Sequence, residues 1–424
     1  MIPVQVDAWY RSGASGVVIS ILAMALAAGS LAWLVLRATG SVVAACTGAV
    51  LLLVNPNVLY LQSTPMTEPL LFGLTLFSIA ATAAWLDEGA ATKGGRSTLR
   101  PGAALAAACL TRYEAWPITV AILLLALAVL LRRGTPWTRA IAGVARLAAW
   151  PAATIVVFSM NSRWVIGTWF VPGDFFVAEN IEALGHPLVA WRQIREGLID
   201  LAGAALPRAG YLGAALIVWA WSRSRDRAPL LLLLALAAAA AVPLAAYVQG
   251  HPFRIRYDLP LVIASAALAA GGIAVLWRPL RAPAAALLIV LTLRHAWPID
   301  HEALLVVESQ REAANMVGRR AVTDHLRQHH DGRVIMMSMG SLGHYMHDLS
   351  LSGFAIKAFL HEGNGEIWRF AMLQPRGHAG WLIIEGSAEG GDALYHASLR
   401  PRWLEGFTKV AEGGGATLYR AVEP

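Results

Sequence analysis

Long uncharged apolar runs separated by short polar connections fill the first three hundred or so positions of the chain. Ala14 to Leu36, Ala228 to Gln249 and Leu259 to Trp277 each reach the roughly 17–25 residues that a helix needs to cross a bilayer. Taken with the other runs, the pattern predicts a polytopic α-helical membrane protein with about eight to nine transmembrane helices. One run is broken: between Pro101 and Leu131 stands Thr111-Arg112-Tyr113-Glu114-Ala115-Trp116-Pro117. Pro117 suits the first turn of a new helix, so two short helices are expected to meet there, and such breaks are tolerated where the backbone lines a cavity. Near Pro298 the pattern changes. Charge, histidine and glycine rise, and no run to Pro424 could span a bilayer. The division expected is a membrane part over 1–298, with a long connection at about 161–207, and a soluble α/β domain over 299–424. In that domain Glu302 to His329 reads as helix, and Arg333 to Met339 and Trp381 to Glu385 read as short buried strands.

Asn55 to Pro69, NPNVLYLQSTPMTEP, lies between two apolar runs yet carries asparagines, hydroxyls, interior prolines and one acid, Glu68. A carboxylate leading into a membrane helix is costly, which makes it a functional candidate. Its simpler role is that of an acid at a helix N-terminus, favourable to the helix dipole.

Composition sharpens this picture. The chain is 57% hydrophobic and only 14% charged, against about 25% charged in soluble domains. The net charge of +7 does not indicate nucleic acid, because the arginines sit between apolar runs as a topology signal. The basic connections are Arg37, then Lys93-Arg96-Arg100, Arg132-Arg133-Arg139, Arg223-Arg225-Arg227 and Arg278-Arg281. Placing them in the cytoplasm puts the loop before Glu68, the Arg112–Glu114 break, the 161–207 connection and Gln249 to Asp258 outside. The expected location is therefore a plasma (inner) membrane, with the C-terminal domain extracytoplasmic. Cys46 and Cys109 lie in apolar runs and read as small buried hydrophobes.

The exterior set gathers Glu68, Arg112, Tyr113, Glu114, Asp174, His251, Arg254, Arg256, Tyr257 and Asp258. Carboxylates serve as general bases or metal ligands, and arginines hold phosphate through paired hydrogen bonds. Each also has a structural role open to it. Arg112 and Glu114 can pair with each other, the His251 to Tyr257 stretch can anchor at the interface, and Asp174 after Gly173 suits a turn. In the soluble domain, Gly340 to Asp348 holds two histidines and an acid but matches no zinc spacing; a loop following a strand is expected. The glycine-rich His361–Gly365 and Glu389–Asp392 stretches read as turns.

Four segments together resemble the polytopic glycosyltransferases of the GT-C fold, the group containing protein O-mannosyltransferases and bacterial aminoarabinose transferases. They are LYLQSTPMTEPLL (Leu59 to Leu71), LTRYEAWP (Leu110 to Pro117), GTWFVPGDFF (Gly167 to Phe176) and HPFRIRYDLP (His251 to Pro260). The resemblance implies transfer of a hexosyl or pentosyl group from a polyprenyl-phosphate donor to an envelope acceptor. Arg254, Arg256 and Arg112 would hold the lipid phosphate, and Glu68 and Glu114 would be the site acids. Tyr113, Asp174, His251 and Tyr257 are grouped with them as substrate-binding residues. No cofactor is implied, though a divalent cation is left open; membrane lipids and the donor are the expected partners. The group's first exterior loop carries the acid most closely tied to catalysis. This sequence begins at what corresponds to the second helix, and Asp7 is a poor stand-in. The expectation is thus a chain lacking the first helix and loop; the alternative is a non-catalytic scaffold for envelope assembly.

Overall fold

The computed structural model describes residues 5–6, 8–9, 12–87, 97–165, 167–169, 180–224, 227–386 and 392–422, the side chains of 311, 312, 314 and 347 excepted. The described residues are predominantly helical, with a small sheet near the C-terminus. They divide into two compact units: residues 1–158, 186–246 and 254–306 form the first, and 159–185, 247–253 and 307–424 the second.

The first unit is a helical bundle. Its helices are α1 (Ala14–Thr39), α2 (Val42–Leu53), α3 (Pro56–Gln62), α4 (Glu68–Asp87), α5 (Leu99–Cys109) and α6 (Ala115–Arg132), followed by α7 (Trp137–Val165), which runs on into the second unit. Then come α8 (Pro187–Ala202), α9 (Ala205–Arg223), a 3₁₀ segment (Ala228–Ala240) continuing as α10 (Ala241–Val248), a 3₁₀ turn (Ile255–Asp258), α11 (Leu259–Val275) and α12 (Arg278–His295). Among the described residues six helices are long and apolar enough to cross a membrane, or up to eight if the bent pairs α2 with α3 (72°) and α8 with α9 (111°) each make one span. The expected break in the 101–131 run is present as the gap between α5 and α6. Its second half, 18 residues long, meets the spanning length by itself.

Small residues let these helices approach closely, the kind of contact by which apolar helices pack in a membrane. A Cβ on Gly73 of α4 would stand 2.5 Å from the Ala23 carbonyl oxygen of α1, and one on Gly213 of α9 would stand 2.1 Å from that of Leu268 in α11. Helix α11 is buried along its whole length. At one end of the bundle Asp87 binds Arg37 (3.2 Å) and Arg133 (2.8 Å), joining α1, α4 and α6. At the other, the Ser20 hydroxyl donates to the Thr64 carbonyl (2.8 Å), and α4 and α6 begin. The polar Asn55–Pro69 stretch is largely spent on structure. Asn55 caps α3 and donates to the Leu201 carbonyl (2.8 Å), and Asn57 accepts from the Leu305 amide (3.0 Å).

The second unit contains most of α13 (Leu304–His329), then β1 (Ile335–Met336), α14 (Met339–Ser350), β2 (Phe359–Leu360), α15 (Glu366–Leu373), β3 (Trp381–Glu385), α16 (Ala393–Ser398), β4 (Phe407–Gly413) and β5 (Ala416–Ala421). The sheet runs β2-β1-β3-β5-β4, with β2, β1 and β3 parallel and β5 and β4 antiparallel. Two cores flank it. Val322, Leu326, Tyr345 and Leu349 pack with Trp381 and Ile383 on one face, and Trp368, Ala371, Leu394 and Ala397 with Leu382 and Ile384 on the other. Successive strands placed on opposite sides of β1, with helices on both faces, make a small doubly wound sheet.

The stretch Gly340 to Asp348 is helix, within α14, and not the loop expected. Leu342, Tyr345 and Leu349 are buried along one face, and the carboxylate of Glu362 takes the place of a capping residue. It accepts from the Met339 amide (2.6 Å) and the Ser338 hydroxyl (2.8 Å), a cap supplied from 24 residues away that no local pattern announces. Strand β1 is shorter than expected. The β4–β5 hairpin is an element absent from the pattern reading; Gly414 and Gly415 turn it at φ 61° and 79°, a conformation open mainly to glycine.

Candidate functional site

The strongest cluster lies in the first unit, where α4 and α6 begin. Glu68 is the first residue of α4 and 1% exposed, and Glu114 directly precedes α6 and is 4% exposed. Arg112, in the turn between α5 and α6, binds both. Its Nη1 donates to Glu68 Oε1 (2.9 Å) and to Thr67 Oγ1 (3.3 Å), while Nε (3.0 Å) and Nη2 (2.7 Å) donate to Glu114 Oε1. One cation therefore serves two buried acids, leaving a formal charge of −1. The interruption in the 101–131 run explains how this is possible, since ending one helix and starting another frees Arg112 and Glu114 to turn their side chains toward Glu68 and each other.

Arg112 also stands 5.6 Å over the Tyr257 ring, and Arg256 stands 5.6 Å from the same ring. Tyr257 thus links the LTRYEAWP and HPFRIRYDLP segments. Nε of Arg256 is buried and, among the described residues, has no hydrogen-bond partner. The same holds for Glu68 Oε2 and for both carboxylate oxygens of Asp258.

Beside the cluster is a cavity of about 290 Å³, lined by Thr67, Arg112, Tyr113, Glu114, Trp116 and Phe158 among others. The three rings meet edge to face, with Tyr113 5.1 Å from Trp116 and Phe158 6.3 Å from each. The Trp116 indole donates to the Cys109 carbonyl (2.9 Å), which fixes its orientation. The lining of the cavity combines carboxylate, guanidinium and hydroxyl groups with aromatic rings.

Of the residues expected to form the site, the structure brings together Glu68, Arg112, Glu114, Tyr113, Tyr257 and, through the Tyr257 ring, Arg256. Arg254 lies in the first unit two positions before Arg256. His251, whose Nδ1 lies 3.1 Å from the Pro252 carbonyl oxygen, falls in the second unit. Asp174, Asp7 and most of the GTWFVPGDFF segment lie outside the described residues. Thr67 and Phe158 join the site without having been expected. Thr67 had a signal in its position beside Glu68, whereas Phe158, on α7, had none.

The second unit holds another polar cluster. Glu385, at the end of β3 and fully buried, accepts from Arg319 Nε (2.7 Å) and lies 3.2 Å from His344 Nδ1. Burial pushes its carboxyl up, but the His344 and Arg319 hydrogen bonds outweigh this and hold it below its ordinary range. Asp392, 1% exposed, accepts from the Glu385 amide (2.6 Å) and caps α16. These groups satisfy one another and bind the sheet to its helices. No group of three metal-ligating side chains occurs among the described residues.

The chain matches no protein-family model and no curated protein sequence. The class rests on the molecule itself: the described residues are largely helical, with six to eight candidate membrane spans and a small sheet near the C-terminus.

Proposed function

We propose that the chain is a membrane glycosyltransferase of GT-C type, moving a sugar from a polyprenyl-phosphate donor to an acceptor on the extracytoplasmic face. The observation that carries this reading is Arg112 gathering Glu68 and Glu114 beside an aromatic-walled cavity. Two of the segments that resemble the family contribute the three residues, and a third is joined to them through Tyr257.

The roles follow from position. Glu114 lines the cavity and Glu68 does not, so Glu114 is the base that takes the proton of the acceptor hydroxyl. The acceptor oxygen forms a bond to the anomeric carbon as the bond from that carbon to the phosphate oxygen breaks. The phosphate departs with the electron pair, and the anomeric centre inverts. Arg256, with an unpartnered donor, receives the phosphate. Glu68 positions Arg112, which in turn holds Glu114. Tyr113, Trp116 and Phe158 offer faces on which the apolar side of a sugar ring can rest.

A second reading, a non-catalytic scaffold for envelope assembly, is favoured by the saturation of Arg112, whose guanidinium is engaged by both acids. The two separate on Glu114→Gln and Arg256→Gln assayed for transfer of radiolabelled sugar from a polyprenyl-phosphate sugar in membranes, with thermal midpoints measured alongside. Loss of a general base removes about 10²- to 10⁴-fold of rate. An enzyme loses that activity with its midpoint held. Absence of transfer in the wild-type chain, or full activity in Glu114→Gln, supports the scaffold.

A further inference from the structure

At the far end of the same bundle, about 24 Å from Glu68 along α4 by helix rise, an open groove of about 240 Å³ lies between α1 and α4 and reaches the start of α5. Ala25, Gly29 and Ser30 form its α1 wall and Ala80 and Ala84 its α4 wall. Its rim is apolar and outward-facing, with Leu26 36% and Trp33 41% exposed. The volume is roughly eight times the ~30 Å³ share of a liquid water molecule, room for a segment of one hydrocarbon chain.

The groove ends in positive charge. Arg100 lines it, is exposed, and stands 5.5 Å over the ring of Phe77, which also lines it. Arg37 stands 5.3 Å over the ring of Trp33. Among the described residues the only acid paired here is Asp87, shared by Arg37 and Arg133. Arg37, Arg133 and Arg100 against Asp87 leave a formal charge of +2. An apolar groove with the Arg100 guanidinium in its lining, and Arg37 stacked on the Trp33 ring that also lines it, is complementary to a lipid that has a hydrocarbon chain and an anionic headgroup. Basic pockets between membrane helices bind such headgroups in general.

We propose that this groove binds one anionic phospholipid, an acyl chain lying between α1 and α4 and the phosphate seated on Arg100. The site stands apart from the transfer chemistry and does not depend on it. Gly29 permits a clean test, because a Cβ added there meets nothing within 4 Å. Gly29→Leu therefore adds a side chain in the groove from a backbone position where the new Cβ meets no neighbour.

The full-length protein is titrated with palmitoyl-oleoyl phosphatidylglycerol or the matching phosphatidylcholine, and bound lipid is counted by native mass spectrometry. The wild type is expected to retain one phosphatidylglycerol in preference to phosphatidylcholine. Arg100→Gln lowers that retention about fivefold, Arg100→Lys restores most of it, and Gly29→Leu abolishes it, all with thermal midpoints near wild type. Equal retention of both lipids, or wild-type retention in Arg100→Gln and Gly29→Leu, overturns the proposal. So does a wild-type dimer that Gly29→Leu dissociates, which assigns the groove to a second copy of the chain, or displacement of the lipid by inorganic phosphate alone.

Discussion

Replacing Arg112 by alanine is the most direct probe of the first-unit site. The guanidinium makes three charge-assisted contacts, two to Glu114 and one to Glu68. Its own side chain is 18% exposed, while those of the acids are 6% and 1% exposed. Removing one partner of a buried pair costs about 3–5 kcal/mol, because the remaining charge is left without compensation. One effect holds the figure near the lower end: Arg112 is reached by solvent, which screens the charges left behind. About 3 kcal/mol at roughly 2 °C per kcal/mol for a large domain gives a fall of about 6 °C in thermal midpoint. Tryptophan fluorescence in detergent at one fixed scan rate reads it, the fixed rate being needed because large proteins unfold irreversibly. Arg112→Ala/Glu114→Gln removes one of the orphaned charges and should recover about half of the loss. A single variant within about 1 °C of wild type, or a double variant no better than the single, would refute the shared-cation account.

Three further outcomes follow from the packing and from the second unit. Gly213→Ala drives a methyl group to 2.1 Å from the Leu268 carbonyl oxygen and should lower the midpoint by the equivalent of about 1–3 kcal/mol, whereas Gly29→Ala, facing open space, should match or exceed wild type. Arg319→Met leaves fully buried Glu385 without its cation and should cost about 3–5 kcal/mol, largely recovered in Arg319→Met/Glu385→Gln; this is read as hydrogen-exchange protection of β3. Burial pushes the Asp392 carboxyl up to about 6, above the ordinary value of about 3.9. The folded chain then keeps a proton that the unfolded chain has released, so this contribution is full below about pH 4 and is lost as pH rises to about 6. Asp392→Asn should flatten that slope in the corrected protection of β3 and α16, and an unchanged slope would count against it.

The pattern of the chain anticipates several features closely. The break at Thr111–Pro117 separates α5 from α6, and β3 spans Trp381 to Glu385 as expected. The pairing of Arg112 with Glu114, only two residues apart, was among the roles foreseen. Its simultaneous hold on Glu68, 44 residues away, was not, because no local rule states which acid a turn will face. The helix over Gly340–Asp348 was missed for the same reason: its cap is Glu362, contributed by a turn beyond the next strand.

Apolar length and turn residues are properties of neighbouring positions, and they are enough to mark the long apolar helices and the place between α5 and α6 where one must break. Which acids share a guanidinium, which rings wall a cavity and which groove is left open depend on contacts between distant segments. Those contacts are settled by close packing at Gly73 and Gly213 and by the need to satisfy buried charge, and only the folded chain brings both conditions together.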